Sequence, residues 1–171
     1  MTRAAVRCGD GVILHQGISP DLLDRALGWA REGGALPEIS SWVPYSMADD
    51  PREARDRVRA RVAGALMNTQ PEWFDGEDRE AVERLQRSYN VSDHATAQPH
   101  HAALVTDSLV ARYAVAGTPA EVREQLGRLM AQPGIDRVIL TPQVSGTGAR
   151  PIEHVLHDLN AQVLQRLRAL R

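Results

Sequence analysis

Lysine is absent from this sequence: all 20 basic residues are arginine, against 22 acidic ones, for a net charge of −2. The arginines are spread over every segment, so they read as a coding bias rather than a basic patch. Neither nucleic acid nor a membrane surface is expected as a partner. Aromatic residues make up only 4%, which argues against an aromatic-rich binding surface. A single cysteine, Cys8, excludes an intrachain disulfide and points to a reducing, cytoplasmic home. No run approaches the roughly 20 apolar residues of a membrane span, and Met1 to Arg7 lacks the apolar core of a signal peptide. What is present is 43% hydrophobic and 25% charged over 171 residues, ordinary for one globular domain with a real core.

Along the chain, apolar runs alternate with helical periodicity. Thr2 to Cys8 reads as the tail of a helix, with Ala4, Ala5 and Cys8 on one side. A chain that opens inside a helix, with no strand before it, is expected to be a cut piece of a larger fold. Val12-Ile13-Leu14 is a short apolar run of the kind buried in a parallel sheet. Ser19 as cap and Pro20 at the first position start a helix whose face is Leu22, Leu23, Ala26, Leu27 and Ala30, ended by Gly33-Gly34.

Ile39 to Met47 alternates as a strand, and Pro44, which cannot donate to a ladder, implies a bulge or an unpaired position. Asp50-Pro51-Arg52-Glu53 predicts a capped helix with a capping box and the face Ala54, Val58, Val62, Ala65 and Leu66. Residues 66–115 form an irregular, partly helical insertion. Helices are expected at Glu77–Arg87 and Thr106–Arg112, around a polar stretch from Ser88 to His101 that suggests a lid.

The last unit is the clearest. Gly117-Thr118-Pro119-Ala120-Glu121 starts a helix with the stripe Val122, Leu126, Leu129 and Met130, and Pro133-Gly134 breaks it. Asp136 to Thr141 reads as a strand. A Gly-rich loop from Gln143 to Ala149 leads to a final helix whose Ile152, Val155, Leu156, Leu159, Val163, Leu167 and Leu170 are expected to face the core. Three strands, each followed by a helix, predict parallel α/β pairing. An eight-stranded (β/α)8 barrel takes ~250 residues, so this chain suits a partial barrel of about three strand–helix units, with a small open sheet as the alternative.

The residues also carry a resemblance. Arg3-Ala-Ala-Val-Arg-Cys-Gly-Asp-Gly-Val-Ile-Leu14, followed by Ser19-Pro20, resembles the "A-D-G-V-I-L, S-P" passage of luciferase-like monooxygenases, a superfamily that includes coenzyme F420-dependent reductases of the methylenetetrahydromethanopterin reductase type. Asp49-Asp-Pro-Arg-Glu-Ala-Arg55 is similar to its "D-D-P-E-E-A-R" helix start. The run from Tyr89 through His101 to Thr118-Pro119 is similar to the reductase branch's "Y-D…H…delvdrFavaGtPeE". Gly134 to Pro142 resembles its closing strand. The ordered series spans nearly the whole chain and matches the C-terminal part of the family.

The resemblance implies a (β/α)8 oxidoreductase that uses FMN or coenzyme F420 on a small-molecule substrate by hydride transfer or monooxygenation. The missing N-terminal strands would come from a partner chain, or the chain would form a homo-oligomer. A different class of reading is a non-catalytic barrel remnant that self-associates and binds no cofactor. Chemistry in such barrels sits after the C-terminal ends of the strands. Here those ends carry His15, Gln16 and Gly17, then Ser46 to Ala48, then Thr141 onward. His15, Gln16, Gly17, Trp42 and Thr141 are therefore the candidate cofactor contacts, although His15 and Trp42 also suit plain packing.

His94 and His101 are candidate lid residues for cofactor or substrate. Together with His100 they invite a metal reading, but no carboxylate or cysteine completes a ligand set, so no metal is expected. His154 and His157 suit a helix surface, and Gly146-Thr147-Gly148 a flexible turn. No Ser/His/Asp set or paired carboxylates emerge, which fits chemistry carried by a cofactor.

Overall fold

The computed structural model describes residues 2–33, 38–90, 92, 100–143 and 150–169. Four strands, β1 (Gly11–Leu14), β2 (Glu38–Met47), β3 (Val115–Gly117) and β4 (Arg137–Pro142), form one parallel sheet. Strand β2 is hydrogen-bonded to the other three. Ser40 and Ser41 pair with both β1 and β4, and Tyr45 pairs with both β3 and β4. A residue has one partner per edge, so β4 runs along one edge of β2 while β1 and β3 share the other end to end. Residues 42–44 pair only with β4, so Pro44 sits in the gap between β1 and β3 where no donor is needed. Strand β3 is one more than the sequence predicts. Its three residues are too short a run to show a period.

The helices are α1 (Thr2–Cys8), α2 (Pro20–Glu32), α3 (Pro51–Leu66), α4 (Gly76–Ser88), α5 (Asp107–Tyr113), α6 (Pro119–Met130), α7 (Ile152–Leu159) and α8 (Gln165–Arg168). The last two are joined by a π-helical turn, Asn160–Leu164. The predicted faces of α2 and α3 are buried throughout. In α1 the expectation fails: Val6 is the buried residue, while Ala4, Ala5 and Cys8 are exposed. Among the described residues, no helix is long and apolar enough to cross a membrane.

Capping separates signals that look alike in sequence. Thr118 and Glu121 form the predicted box: the Thr118 hydroxyl accepts from the Glu121 N–H at 3.3 Å, and the Glu121 carboxylate accepts from the Thr118 N–H at 2.7 Å. Gly117 before it has φ +151, and a Cβ there would stand 2.5 Å from the Glu121 carboxylate. At α3, Asp50 caps by accepting from the Arg52 N–H, but the expected box is not made because Glu53 pairs with Arg57 instead. Ser19 makes no side-chain capping bond. The chain enters α2 through the Ile18 and Ser19 N–H groups, which both donate to the Arg112 carbonyl.

The core has three parts. Val12, Leu14 and Ile39 pack against α1 and α2. Val43, Tyr45 and Val115 pack against Leu23, α6 and the C-terminal helices. Within the segment 66–115, the expected helices are present as α4 and α5, which with α3 enclose Val58, Leu66, Val82, Leu85, Leu109 and Tyr113. Ala116 points into this third cluster and Val115 into the second, so β3 is covered on both faces. The stripe of the final helix is only partly confirmed. Leu159 and Val163 are buried, whereas Ile152 is 42% and Leu156 51% exposed; Met130 of α6 is 40% exposed as well. A helix lying on the margin of an open sheet has fewer neighbours than its apolar pattern anticipates.

Candidate functional site

Parallel register decides which strand residues share a face. Ile13 pairs with Ser40, and Trp42 pairs with Ile139, while Pro44 pairs with Thr141. Side chains alternate along a strand. Ile13, His15, Trp42, Ile139 and Thr141 therefore lie on the face opposite to the one that carries Val43 and Tyr45. That face is the less covered one: Ile13 is 61% and Trp42 45% exposed. Trp42 is thus not a core residue.

Three of the five candidate contacts meet there. The rings of His15 and Trp42 are stacked, with centroids 5.4 Å apart and planes 24° apart. The Trp42 indole N–H donates to the Thr141 hydroxyl. With Pro44, Arg61, Gly64 and Tyr89 they line an open cleft of about 250 Å³. Burial holds the His15 pKa below its ordinary value, and the Arg61 charge pushes it the same way. His15 is accordingly a neutral imidazole at pH 7, able to donate and accept one hydrogen bond each.

The other two serve differently. Gly17 has φ +91, and a Cβ there would lie 2.8 Å from the Arg112 carbonyl and from Leu22, so it closes the turn onto α5 instead of facing the cleft. The Gln16 side-chain oxygen is buried with no hydrogen-bond partner among the described residues. His101 is 2% exposed and lies under Tyr89, ring centroids 4.3 Å apart, so it backs the cleft wall without reaching the cleft. His94 and Gly146 to Gly148 lie outside the described residues. His154 and His157 are exposed on α7. No group of three or more metal-ligating side chains occurs among the described residues.

Arg61, Gly64 and Tyr89 line the cleft without standing out in sequence. Arg61 is one of several arginines in α3, residues that read as part of a coding bias, and only the mid-helix Gly64, poor in helix propensity, hints that something approaches there.

With this geometry in view, the family model for luciferase-like monooxygenases matches residues 1–137, and the chain belongs to that family. The coenzyme F420-dependent tetrahydromethanopterin reductase from Methanopyrus kandleri superposes with a TM-score of 0.71 at 17% identity, over 98% of this chain and 48% of that one. The EDTA monooxygenase from a Chelativorans species gives 0.52 at 16% identity, over 98% and 41%. A riboflavin lyase gives 0.50 at 18% identity, over 98% and 40%. No curated protein matches the sequence. At these identities the likeness establishes the fold, a segment of a (β/α)8 barrel. The chain spans about half the length of the structures it resembles.

Proposed function

We propose that this chain forms one side of the active site of a luciferase-like oxidoreductase, which acts on a small organic substrate by hydride transfer or monooxygenation with FMN or coenzyme F420. The observation that carries the reading is the meeting of His15, Trp42 and Thr141 on the uncovered face of the sheet, beside the guanidinium of Arg61. Support for the cofactor class comes from the family.

The residues present suit the ring system of such a cofactor better than the whole of it. About 250 Å³ falls below the ~300 Å³ at which small-molecule pockets ordinarily begin. Trp42 and His15 offer aromatic faces to a planar ring, and the Thr141 hydroxyl and neutral His15 offer hydrogen bonds at its edge. Arg61 supplies positive charge for an anionic ring or a phosphate. The ring, when bound, supplies the redox chemistry, and the protein binds and orients it.

Titration of the purified chain with FMN and with coenzyme F420, followed by cofactor absorbance and fluorescence, tests the proposal. Saturable binding that Trp42→Ala weakens about tenfold, ~1.4 kcal/mol, is the expected result. The competing reading is a non-catalytic barrel remnant, which the shallowness of the cleft favours. Absence of binding to the wild-type chain, alone or with the rest of the barrel supplied as a second polypeptide, would establish it.

A further inference from the structure

We infer that the pocket between β2, α3 and α7 binds one small monovalent anion of halide size, with the Tyr45 hydroxyl and the Arg57 Nε–H group as its donors. Tyr45 lies on the sheet face opposite the cleft at His15 and Trp42, so this ligand is independent of any cofactor bound there.

Donors without acceptors define the site. Tyr45 is 1% exposed, and its hydroxyl is buried with no hydrogen-bond partner among the described residues. Arg57 donates from Nη2 to the Glu53 carboxylate at 2.5 Å and from Nη1 to the Met47 carbonyl at 3.5 Å. Its Nε is buried and, like the phenol, has no partner. Both side chains line one pocket of about 10 Å³, together with Arg150 and Asp158. The Asp158 carboxylate is already engaged by Arg150 at 2.8 Å. Native proteins leave few buried donors unpaired, and two in one pocket call for an acceptor that the surrounding side chains do not supply.

Charge and size select an anion. Two arginines against one aspartate leave the wall with one positive charge in excess. Glu53 is half exposed and forms no part of the wall. Burial pushes the Tyr45 pKa above its ordinary value, the Asp158 charge adds to this and Arg150 opposes it, so the phenol is a donor at neutral pH. Water can accept from both groups, but it brings two hydrogens of its own and nothing to offset the excess charge. One water-sized particle needs ~10–15 Å³, so the pocket suits a single halide ion and is too small for a tetrahedral oxyanion.

Bound there, the ion would join three elements. Arg57 belongs to α3, Tyr45 to β2, and Val155 and Asp158 to α7. Helix α7 leaves Ile152 and Leu156 exposed, so a polar tie at its sheet side adds to the hold of buried Leu159.

The experiment compares thermal unfolding of the full chain in sodium chloride and in sodium gluconate, whose anion is too large for the pocket, at equal ionic strength. The wild-type midpoint should be higher in chloride, by about 4 °C when chloride is about ten times its dissociation constant. Tyr45→Phe should lose this difference, while its midpoint in gluconate stays at or above that of the wild type because an unpaired donor has been removed. Tyr113→Phe should keep the difference, since that phenol is bonded to Thr69 and does not line the pocket. In crystals grown from bromide salts, anomalous scattering should give a peak within hydrogen-bonding distance of Tyr45 Oη and Arg57 Nε.

Equal wild-type midpoints in the two salts overturn the inference. So does a chloride effect that Tyr45→Phe retains, which would put the ion elsewhere. Bromide crystals with no anomalous peak in the pocket overturn it as well, and this holds even where Tyr45→Phe does not fold. None of these results touches cofactor binding at the cleft, and a chain that binds bromide here but neither FMN nor coenzyme F420 would overturn the functional reading alone.

Discussion

Trp42 and His15 lie face to face at 5.4 Å although 26 residues of chain, including the whole of α2, lie between them. The contact exists because β1 pairs with β2 in parallel at Leu14 and Ser41, which places the next residue of each strand side by side on the open face. One aromatic ring thus shields a histidine from water while itself remaining 45% exposed.

That shielding has a consequence in pH. His15 should titrate below 6.5 in a nuclear magnetic resonance experiment. Trp42→Ala, by restoring water, and Arg61→Gln, by removing the nearby charge, should each move the midpoint up. The unfolded chain takes up this proton first as pH falls. The stability contribution is therefore full above pH 6.5 and is lost as pH drops through the lower folded-state value. His15→Gln should remove that part of the acid sensitivity, read as the pH dependence of the urea midpoint.

Tyr113 gives the opposite sign. Burial pushes its pKa up to about 12, against the hydrogen bond with Thr69 at 2.8 Å, which lowers it. Its contribution to stability is present below the ordinary tyrosine value of 10.0 and disappears as pH rises through about 12. Near-ultraviolet absorbance titration should show this late ionisation, and it should vanish in Tyr113→Phe. Thr69→Ala should delay it further.

The two apolar sides of the C-terminal region should differ in thermodynamic weight. Leu126→Ala, in the cluster that includes Val163, is expected to cost about 2–5 kcal/mol of unfolding free energy in urea. Leu156→Glu, on the exposed side of α7, should stay within about 0.5 kcal/mol in the isolated protomer.

Two caps that look alike in sequence, each a hydroxyl residue before a proline, should behave differently. Thr118→Ala removes a reciprocal capping box and should cost about 1 kcal/mol. Ser19→Ala removes a hydroxyl that makes no hydrogen bond and should leave the denaturation midpoint nearly unchanged.

Much of the scaffold was legible without coordinates. The faces of α2 and α3, the box at Thr118 and the strand ending at Thr141 all follow from periodicity and capping chemistry, which act over a few residues. What was illegible depends on distant neighbours. Strand β3 exists because Tyr45 and Val115 meet across the sheet. The exposure of Ile152 and Leu156 reflects which surfaces α7 lacks, which no pattern within α7 reveals. The cleft was half legible: His15, Trp42 and Thr141 stand in or just after strands, where a barrel puts its chemistry. Arg61 comes from a helix where only Gly64 hints at a close approach, and Tyr89 from the polar stretch whose composition suggests a lid without saying which residue faces the cleft.

By itself, the sequence determined the alternation of strands and helices, the capping box at Thr118, the buried stripes of α2 and α3, and the resemblance to the luciferase-like family, because local propensity and hydrophobic period are written in neighbouring residues. Only the tertiary structure decided that β4 pairs with β2, that Trp42 lies on the uncovered face against His15, and that His101 stands behind Tyr89 instead of in the cleft. Those facts depend on strand register and on the packing of segments up to about a hundred residues apart. A shift of register by one residue would turn Trp42 to the other face without changing a letter of the sequence.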